Sequence, residues 1–358
     1  MARRLLFVLK WRVIPYDGRS WGWMDPGTPT NPSAKLLSHG LNNSCRFIVE
    51  MLNDAGIDAK LVQVADDNDI WKEIVSYNPT DVIIEAYWMR PKKLIDLEER
   101  FPGTPITIRG HSSTPFLADD WVGFPWAMDY LALGGSVGQN DPRHVDEMRF
   151  LARYLHGIEP DEARRRVPYL PNYYPDQYIE VVKQPIAGEI DIGCFGAVRS
   201  FKNHVGQAIA AMMFADDLGR RLRFHINGDR LERGGAAVSR ALDSLFATGK
   251  AELVRHDWIP VHADFLKLVA SMDLVTQVSF AETFNIVAAD AVGQGVPTVM
   301  SAEIPWAPLA SQADPTDTDD IAAKMHVAWN RNLIEKNNDS LRAYSARSKE
   351  IWLSHFGA

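Results

Sequence analysis

Ser279-Phe280-Ala281-Glu282-Thr283-Phe284-Asn285-Ile286-Val287-Ala288-Ala289-Asp290-Ala291-Val292-Gly293-Gln294-Gly295-Val296-Pro297-Thr298-Val299-Met300-Ser301 decides the fold. A polar loop carrying Glu282 runs into an apolar segment, and a second acid, Asp290, follows eight positions later. Gly293 and Gly295 permit the backbone conformations of a tight helix exit. Val296 to Met300 then reads as a short buried strand. Thr283 is the expected helix N-cap, with the helix over Phe284 to Val292. Unbonded N–H groups then gather near Thr283 to Ile286, and such a helix start attracts anions, diphosphates included. Glu282, just before it, can accept bonds from sugar hydroxyls. Asp290 lies about two turns on, near the face of Glu282 and Ile286.

Outward from this stretch the chain alternates. Upstream, strands are expected at Ile190 to Phe195, Leu222 to Asn227, Glu252 to His256 and Leu274 to Val278. Helices are expected between them at Asn203 to Phe214, Gly234 to Thr248 and Ala263 to Ser271. Helices at Thr318 to Trp329 and Ser340 to Ser354 close the chain. The N-terminal half repeats the pattern. Its strands are Leu5 to Leu9, Lys60 to Val64, Asp81 to Ala86 and Pro105 to Arg109; its helices are 35 to 55, Asp69 to Tyr77, Pro91 to Phe101 and Asp141 to His156. Strand, helix, strand in succession means right-handed crossovers and parallel sheets. The expected fold class is α/β: two Rossmann-like doubly wound domains facing a cleft, with ligands at the carboxyl ends of the strands.

Bulk properties bound the rest. The chain has 358 residues, 46% hydrophobic and 23% charged, which suits two ordinary soluble domains. A net charge of −8 gives no global attraction to nucleic acid or anionic membranes, though it leaves room for a local basic patch. Two cysteines, Cys45 and Cys194, make no disulfide framework and suit a reducing cytoplasm. The apolar run near the N-terminus is too short for a signal peptide, and no window is long enough to span a bilayer. The acid pairs Asp66-Asp67, Asp119-Asp120, Asp216-Asp217 and Asp319-Asp320 lack partner ligands at useful spacing, so no metal site is expected.

Gly196-Ala197-Val198-Arg199-Ser200-Phe201-Lys202-Asn203 follows the first strand of the second half. Its two cations, in a loop that opens a helix, suit a diphosphate leaving group; a solvated loop is the plainer reading. The loop from Lys10 to Trp23 interleaves aromatics and cations. Trp11, Arg12, Tyr16 and Arg19 are its candidates for stacking on an acceptor's bases or sugar rings; the alternative is a loop packed on itself. Arg164-Arg165-Arg166 adds a basic spot.

The Glu282 to Asp290 stretch resembles the donor-site motif of GT-B glycosyltransferases of the family-four group. That motif is Glu, seven residues, Glu, then a small-residue turn and Val-Pro. Asp290 replaces the second Glu here, and Thr283-Phe284-Asn285 replaces Gly-Phe-Gly. The resemblance implies that Glu282 contacts the donor sugar and Asp290 the ribose. Thr283, Phe284, Asn285, Arg199 and Lys202 would hold the diphosphate, the two cations more closely spaced than is usual. His111, directly after the fourth N-terminal strand, would lie near the reacting sugar. Gly40 matches a cleft loop of the family, with His39 beside it, and His256 to Pro260 match the region that holds the base.

It also implies domains at 1–171 and 188–339 and a connector at 172–187, with the helix 340–358 packing back on the first domain. The implied activity is a retaining hexosyl transfer from a UDP- or GDP-linked sugar, such as UDP-glucose, to an acceptor hydroxyl. No cofactor and no essential metal are expected. The chain is similar, too, to phage glycosyltransferases that modify hydroxymethylated pyrimidines, so DNA modification is one expectation for the acceptor. A glycan or lipid acceptor, a nucleotide-sugar epimerase and an inactive GT-B binding module are the alternatives.

Overall fold

The structure, a computed structural model, describes all residues except 1–2, 11–12, 15–34, 37–39, 113–122, 184–185, 229, 258, 331–332 and 358. The chain divides into two compact units, Met1–Pro175 with Ser345–Ala358, and Asp176–Tyr344. In the first unit the strands are β1 (Arg4–Lys10), β2 (Val13–Ile14), β3 (Lys35–Leu36), β4 (Asp58–Val64), β5 (Asp81–Glu85), β6 (Ile106–Gly110) and β7 (Ser136–Gln139). Five of them form a parallel sheet in the order β4-β1-β5-β6-β7, and β2 pairs antiparallel with β3.

Alternation along β1 explains its continuous apolar run. Leu6 and Val8 join one core cluster with Val82, Ile84, Ile106 and Ile108. Leu5 and Phe7 join a second with Ile48, Leu52 and Ile83. Successive side chains point to opposite faces, so both faces of the sheet are covered, as all-parallel sheets require. Trp352 and Phe356 of the helix Ile334–Phe356 belong to that second cluster. Trp352 is fully buried and donates from Nε1 to the Pro171 carbonyl at 2.8 Å.

The second unit holds β8 (Glu189–Gly193), β9 (Arg221–Asn227), β10 (Glu252–His256), β11 (Leu274–Gln277), β12 (Thr298–Ser301) and β13 (Gln312–Ala313), ordered β10-β9-β8-β11-β12-β13 and parallel throughout. Ile190, Ile192 and Leu274 face one cluster; Val275 faces another, with Phe195 and Ala291. The α/β class with two parallel, Rossmann-like sheets is therefore as expected.

Several boundaries differ from the expected ones. The helix expected over 35–55 begins at Gly40 and ends at Asp54. The last helix starts at Ile334, not Ser340. Strand β7, the helix Gly123–Ala132 and the helix Pro160–Arg166 gave no clear signal. In β7 the apolar run is one residue long. Its Gly138 is needed because a Cβ there would meet Leu170 Cδ1 at 2.7 Å. The strand after the Gly-x-Gly turn begins at Thr298, because Pro297 has no N–H to give the ladder; its carbonyl instead accepts from Val275 N at 2.9 Å.

Candidate functional site

The helix foreseen in the opening stretch runs Ile286–Gly293, and Thr283 is not its N-cap. Asn285 is, at φ 58°, and its side chain accepts from Ala288 N at 3.0 Å. The left-handed conformation is one that Asn tolerates and β-branched Thr does not. The Asn285 side chain is buried and turned inward, not out toward a ligand. Its Nδ2 donates to Gln277 Oε1 at 3.0 Å and to Glu282 Oε1 at 3.2 Å, and Gln277 Nε2 donates to the Phe195 carbonyl at 3.0 Å. The cap takes up one first-turn N–H; those of Ile286 and Val287 have no intrahelical acceptor. Phe284 is buried, and its carbonyl accepts from Trp306 Nε1 at 2.8 Å. Thr283 is also buried, in the turn between Glu282 and the cap.

Glu282 is 8% exposed and is joined directly to Lys202 by an Oε1 to Nζ hydrogen bond. Lys202 ends a 3-10 turn, Ser200–Lys202, and Asn203 at φ 54° passes the chain to the helix His204–Asp217. Burial lowers the Lys202 pKa most. Glu282 opposes that and the Arg199 charge adds to it, so the ammonium gives up its proton more readily than usual. Arg199, also in the loop, has Nη1 3.8 Å from Glu232 Oε2. The structure thus brings Arg199, Lys202 and Glu282 to one edge with the start of the helix Ile286–Gly293, but each cation has a carboxylate beside it.

Asp290 is only 2% exposed, and its Oδ1 lies 2.9 Å from His262 Nε2. His262 opens the helix His262–Ala270 and had no signal of its own in the sequence. A second segment without a signal is the loop after β9. Val198 N donates to the Arg230 carbonyl at 2.8 Å, and Glu232 N to the Val198 carbonyl at 2.9 Å. Gly235 makes that approach possible, because a Cβ on it would fall 2.1 Å from the Val198 oxygen. Its only trace in the sequence is the Gly234-Gly235 pair. Gly196, at φ 110°, donates its N–H to Asn227 Oδ1 at 2.8 Å and so fixes the turn after β8.

Buried polar atoms gather at this same carboxyl edge. Among the described residues, neither ring nitrogen of His204 has a hydrogen-bond partner, nor do the hydroxyls of Ser279, beyond β11, and Ser301, at the end of β12. Buried polar groups are rarely left so. Burial, reinforced by Lys202 and Arg199, pushes the His204 imidazole down to about 3.

In the first unit His111 follows β6 at the sheet's carboxyl edge. Its Nε2 lies 2.5 Å from Glu85 Oε2, and its Nδ1 lies 3.3 Å from Asn140 Nδ2. A carboxylate only accepts, so Nε2 carries the proton and Nδ1 accepts from the amide. Glu85 and Arg109 are fully buried and paired at 3.1 Å. Arg109 also donates to the Leu170 carbonyl at 2.8 Å and to Asn172 Oδ1. Burial raises the Glu85 pKa, but Arg109 and His111 outweigh it and hold the carboxyl below its usual range. Burial and Arg109 lower the His111 pKa against the pull of Glu85. Gly40 is the first residue of the helix Gly40–Asp54. Trp11, Arg12, Tyr16, Arg19, His39 and Trp258 lie outside the described residues.

Among the described residues no group of three or more His, Cys, Asp or Glu side chains is placed to hold a metal ion. Among the same residues no helix is long and apolar enough to cross a membrane.

No protein-family model matches the chain, and no curated protein does. Solved structures do. Sucrose-phosphate synthase from Thermosynechococcus elongatus is 15% identical with a TM-score of 0.64, and the match covers 99% of each chain. A UDP-forming α,α-trehalose-phosphate synthase from Burkholderia vietnamiensis is 13% identical with a TM-score of 0.63, covering 99% of this chain and 96% of that one. The Anabaena HepE protein, in complex with UDP and glucose, is 12% identical with a TM-score of 0.57, covering 98% and 100%. At such identities the likeness speaks for architecture, and it extends over both units: the chain has the two-domain, Rossmann-like GT-B fold of these sugar transferases.

Proposed function

We propose that this protein is a nucleotide-sugar-dependent glycosyltransferase that moves a hexose from a UDP- or GDP-linked donor to an acceptor hydroxyl. The observation that carries the reading is the Lys202–Glu282 contact at the head of the helix Ile286–Gly293. A cation, a carboxylate and free helix N–H groups at one sheet edge suit, in turn, a diphosphate and a sugar. The UDP and glucose held by the Anabaena HepE protein agree with that chemistry.

In the proposed reaction the acceptor oxygen bonds to C1 of the sugar as the bond from C1 to the diphosphate oxygen breaks. The acceptor's proton passes to the departing phosphate, and the configuration at C1 is retained. Lys202, Arg199 and the N–H groups of the helix start stabilise the charge that develops on the leaving group. Glu282 exchanges part of its bond to Lys202 for the sugar hydroxyls. Asp290, held by His262, is assigned to the ribose. His111, neutral and fixed by Glu85, is assigned as a substrate contact of the first unit. The leaving group's charge is met by protein groups, so we propose that no metal is essential and that EDTA leaves turnover intact.

The test is nucleotide release from UDP-glucose, GDP-glucose and related donors, with glucose-type sugars, lipids and hydroxymethylated DNA as acceptors. Glu282→Ala and Arg199→Ala should each abolish turnover while the fold is kept. Undiminished turnover in both variants overturns the assignment.

A further inference from the structure

We propose that the cavity between the helices Pro142–His156 and Pro160–Arg166 of the first unit is a separate binding site for a small phosphate ester. The guanidiniums of Arg149, Arg153 and Arg164 take the phosphate, and the ring of Phe150 takes the sugar or base ring that carries it. The site is distinct from the donor site and stands whether or not the nucleotide-sugar reading does.

The cavity is open and measures about 240 Å3. Asp146, Arg149, Phe150 and Arg153 line it from the first helix, and Ala163 and Arg164 from the second. That volume lies just below the range of small-molecule sites, about 300–1,000 Å3, and suits a single phosphorylated ring. Arg149 and Arg153 are four residues apart, so their side chains are neighbours on the helix surface.

Arg149 is held in place before any ligand arrives. It is 29% exposed, and its Nε donates to the Val167 carbonyl at 3.1 Å. Its Nη1 lies 3.9 Å from Asp146 Oδ1, too far for a hydrogen bond, and Asp146 is 84% exposed. Among the described residues no acceptor meets its two terminal nitrogens, and none meets Arg153, which is exposed. Arg164 donates to Asp161 of its own helix, and both are exposed. Burial lowers the Arg149 pKa most; Asp146 opposes this and the Arg164 charge adds to it. The two helices thus hold like charges beside one another, and an anion between them would relieve that repulsion.

The Arg164-Arg165-Arg166 run divides accordingly. Arg166 turns inward, where its Nε donates to the Gly135 carbonyl at 2.9 Å and its Nη1 lies 3.3 Å from Glu162. Arg165 is exposed and lies outside the lining. Only Arg164 reaches the cavity. Beside it stands an aromatic wall: Phe150 and Tyr154 stack at 5.5 Å and 14°, although both are exposed. Guanidiniums next to exposed flat rings are the composition that binds phosphorylated rings.

The place sets this cavity apart from the sheet's carboxyl edge, where His111 stands. Asp141 caps the helix just after β7, and Arg149 and Arg153 follow about 12 and 18 Å along its axis.

Calorimetric titration of inorganic phosphate, glucose 6-phosphate and UMP into the full chain tests this, with NMR of the arginine Nε–H groups reporting the place. Glucose 6-phosphate or UMP should bind more tightly than inorganic phosphate and shift the Arg149 signal. Arg149→Gln, Arg153→Gln and Arg164→Gln should each weaken binding of all three probes about tenfold. Arg153 makes no contact that supports the fold, so its variant keeps the test free of unfolding. Phe150→Ala should weaken the two ring-bearing probes about fivefold or more and leave inorganic phosphate within about twofold. Arg165→Gln, outside the cavity, and Arg199→Ala, in the second unit, should leave the shift of the Arg149 signal and its midpoint within about twofold. Four results each overturn the inference: no saturable shift of the Arg149 signal at millimolar probe, equal weakening by Arg165→Gln, loss in Arg199→Ala with Arg149→Gln unaffected, or no advantage of the ring-bearing probes. The first three probes' binding to the donor site is read separately, from the calorimetric loss in Arg199→Ala.

Discussion

The Lys202–Glu282 pair allows fold support and ligand binding to be separated in one experiment. Both side chains are largely buried, at 11% and 8% exposure. Removing one partner of a buried pair costs about 3–5 kcal/mol, mostly because the other charge is left uncompensated. Lys202→Met should sit near the low end, about 3 kcal/mol, since Asn285 Nδ2 still donates to Glu282. In a unit of this size that lowers the melting temperature by about 6–12 °C. The double variant Lys202→Met/Glu282→Leu has no orphaned charge and should recover to within about 1 kcal/mol of the wild type. Binding of UDP should behave differently. Loss of a charge-assisted bond to a diphosphate is worth about 1.5–3 kcal/mol, so affinity should fall about 10- to 150-fold in the single and the double variant alike. Thermal unfolding gives the first quantity and calorimetric titration the second. A double variant that regains both stability and wild-type affinity for UDP would show the pair to be a structural bridge only, and the diphosphate assignment would be wrong.

Three further outcomes follow from particular contacts. Asn285→Ala should destabilise the second unit by about 2–4 kcal/mol, because it removes the cap at φ 58°, strands the Gln277 acceptor and strains the left-handed backbone, whereas Asn285→Gly, which keeps that φ at no steric expense, should lose about 1 kcal/mol less on urea titration. Burial, more than neighbouring charge, pushes His204 and His256 to about 3 and about 4, both below the unfolded value near 6.5. The unfolded chain then binds more protons, so stability is full above about pH 6.5 and falls as the pH drops toward 4; His204→Leu should flatten the urea midpoint against pH in that window. Glu85→Leu should destabilise the first unit by about 3–5 kcal/mol by stranding Arg109, and Glu85→Leu/Arg109→Met should restore most of it in a double-mutant cycle.

Much of the fold was legible because each signal was local. The apolar run Leu5 to Leu9 is a two-faced buried strand wherever it pairs, and Asp141-Pro142 starts a helix by the same chemistry in any context: Asp141 accepts from Arg143 N at 2.9 Å, and Pro142 takes the first helical position. Gly293 and Gly295 ended their helix as expected, the latter at φ 69°. The 123–132 helix was missed because it is apolar nearly all round and shows little periodicity, and β7 because it has only one apolar residue between Ser136 and Gly138.

For the site, the sequence by itself determined which residue types stand at the carboxyl edges: Arg199 and Lys202 after one strand, Glu282 and Asp290 in another connection, His111 after a third. It determined their order because strand ends and turns are written in neighbouring residues. Only the tertiary structure decided what each of them touches. That Lys202 meets Glu282, 80 positions away, and that Asp290 is taken by His262 depend on strand order and register, which long-range packing sets. The cap moved from Thr283 to Asn285 for a related reason. The choice was made by Gln277 and Glu282, whose acceptors turned the Asn285 amide inward once the sheet had placed them there.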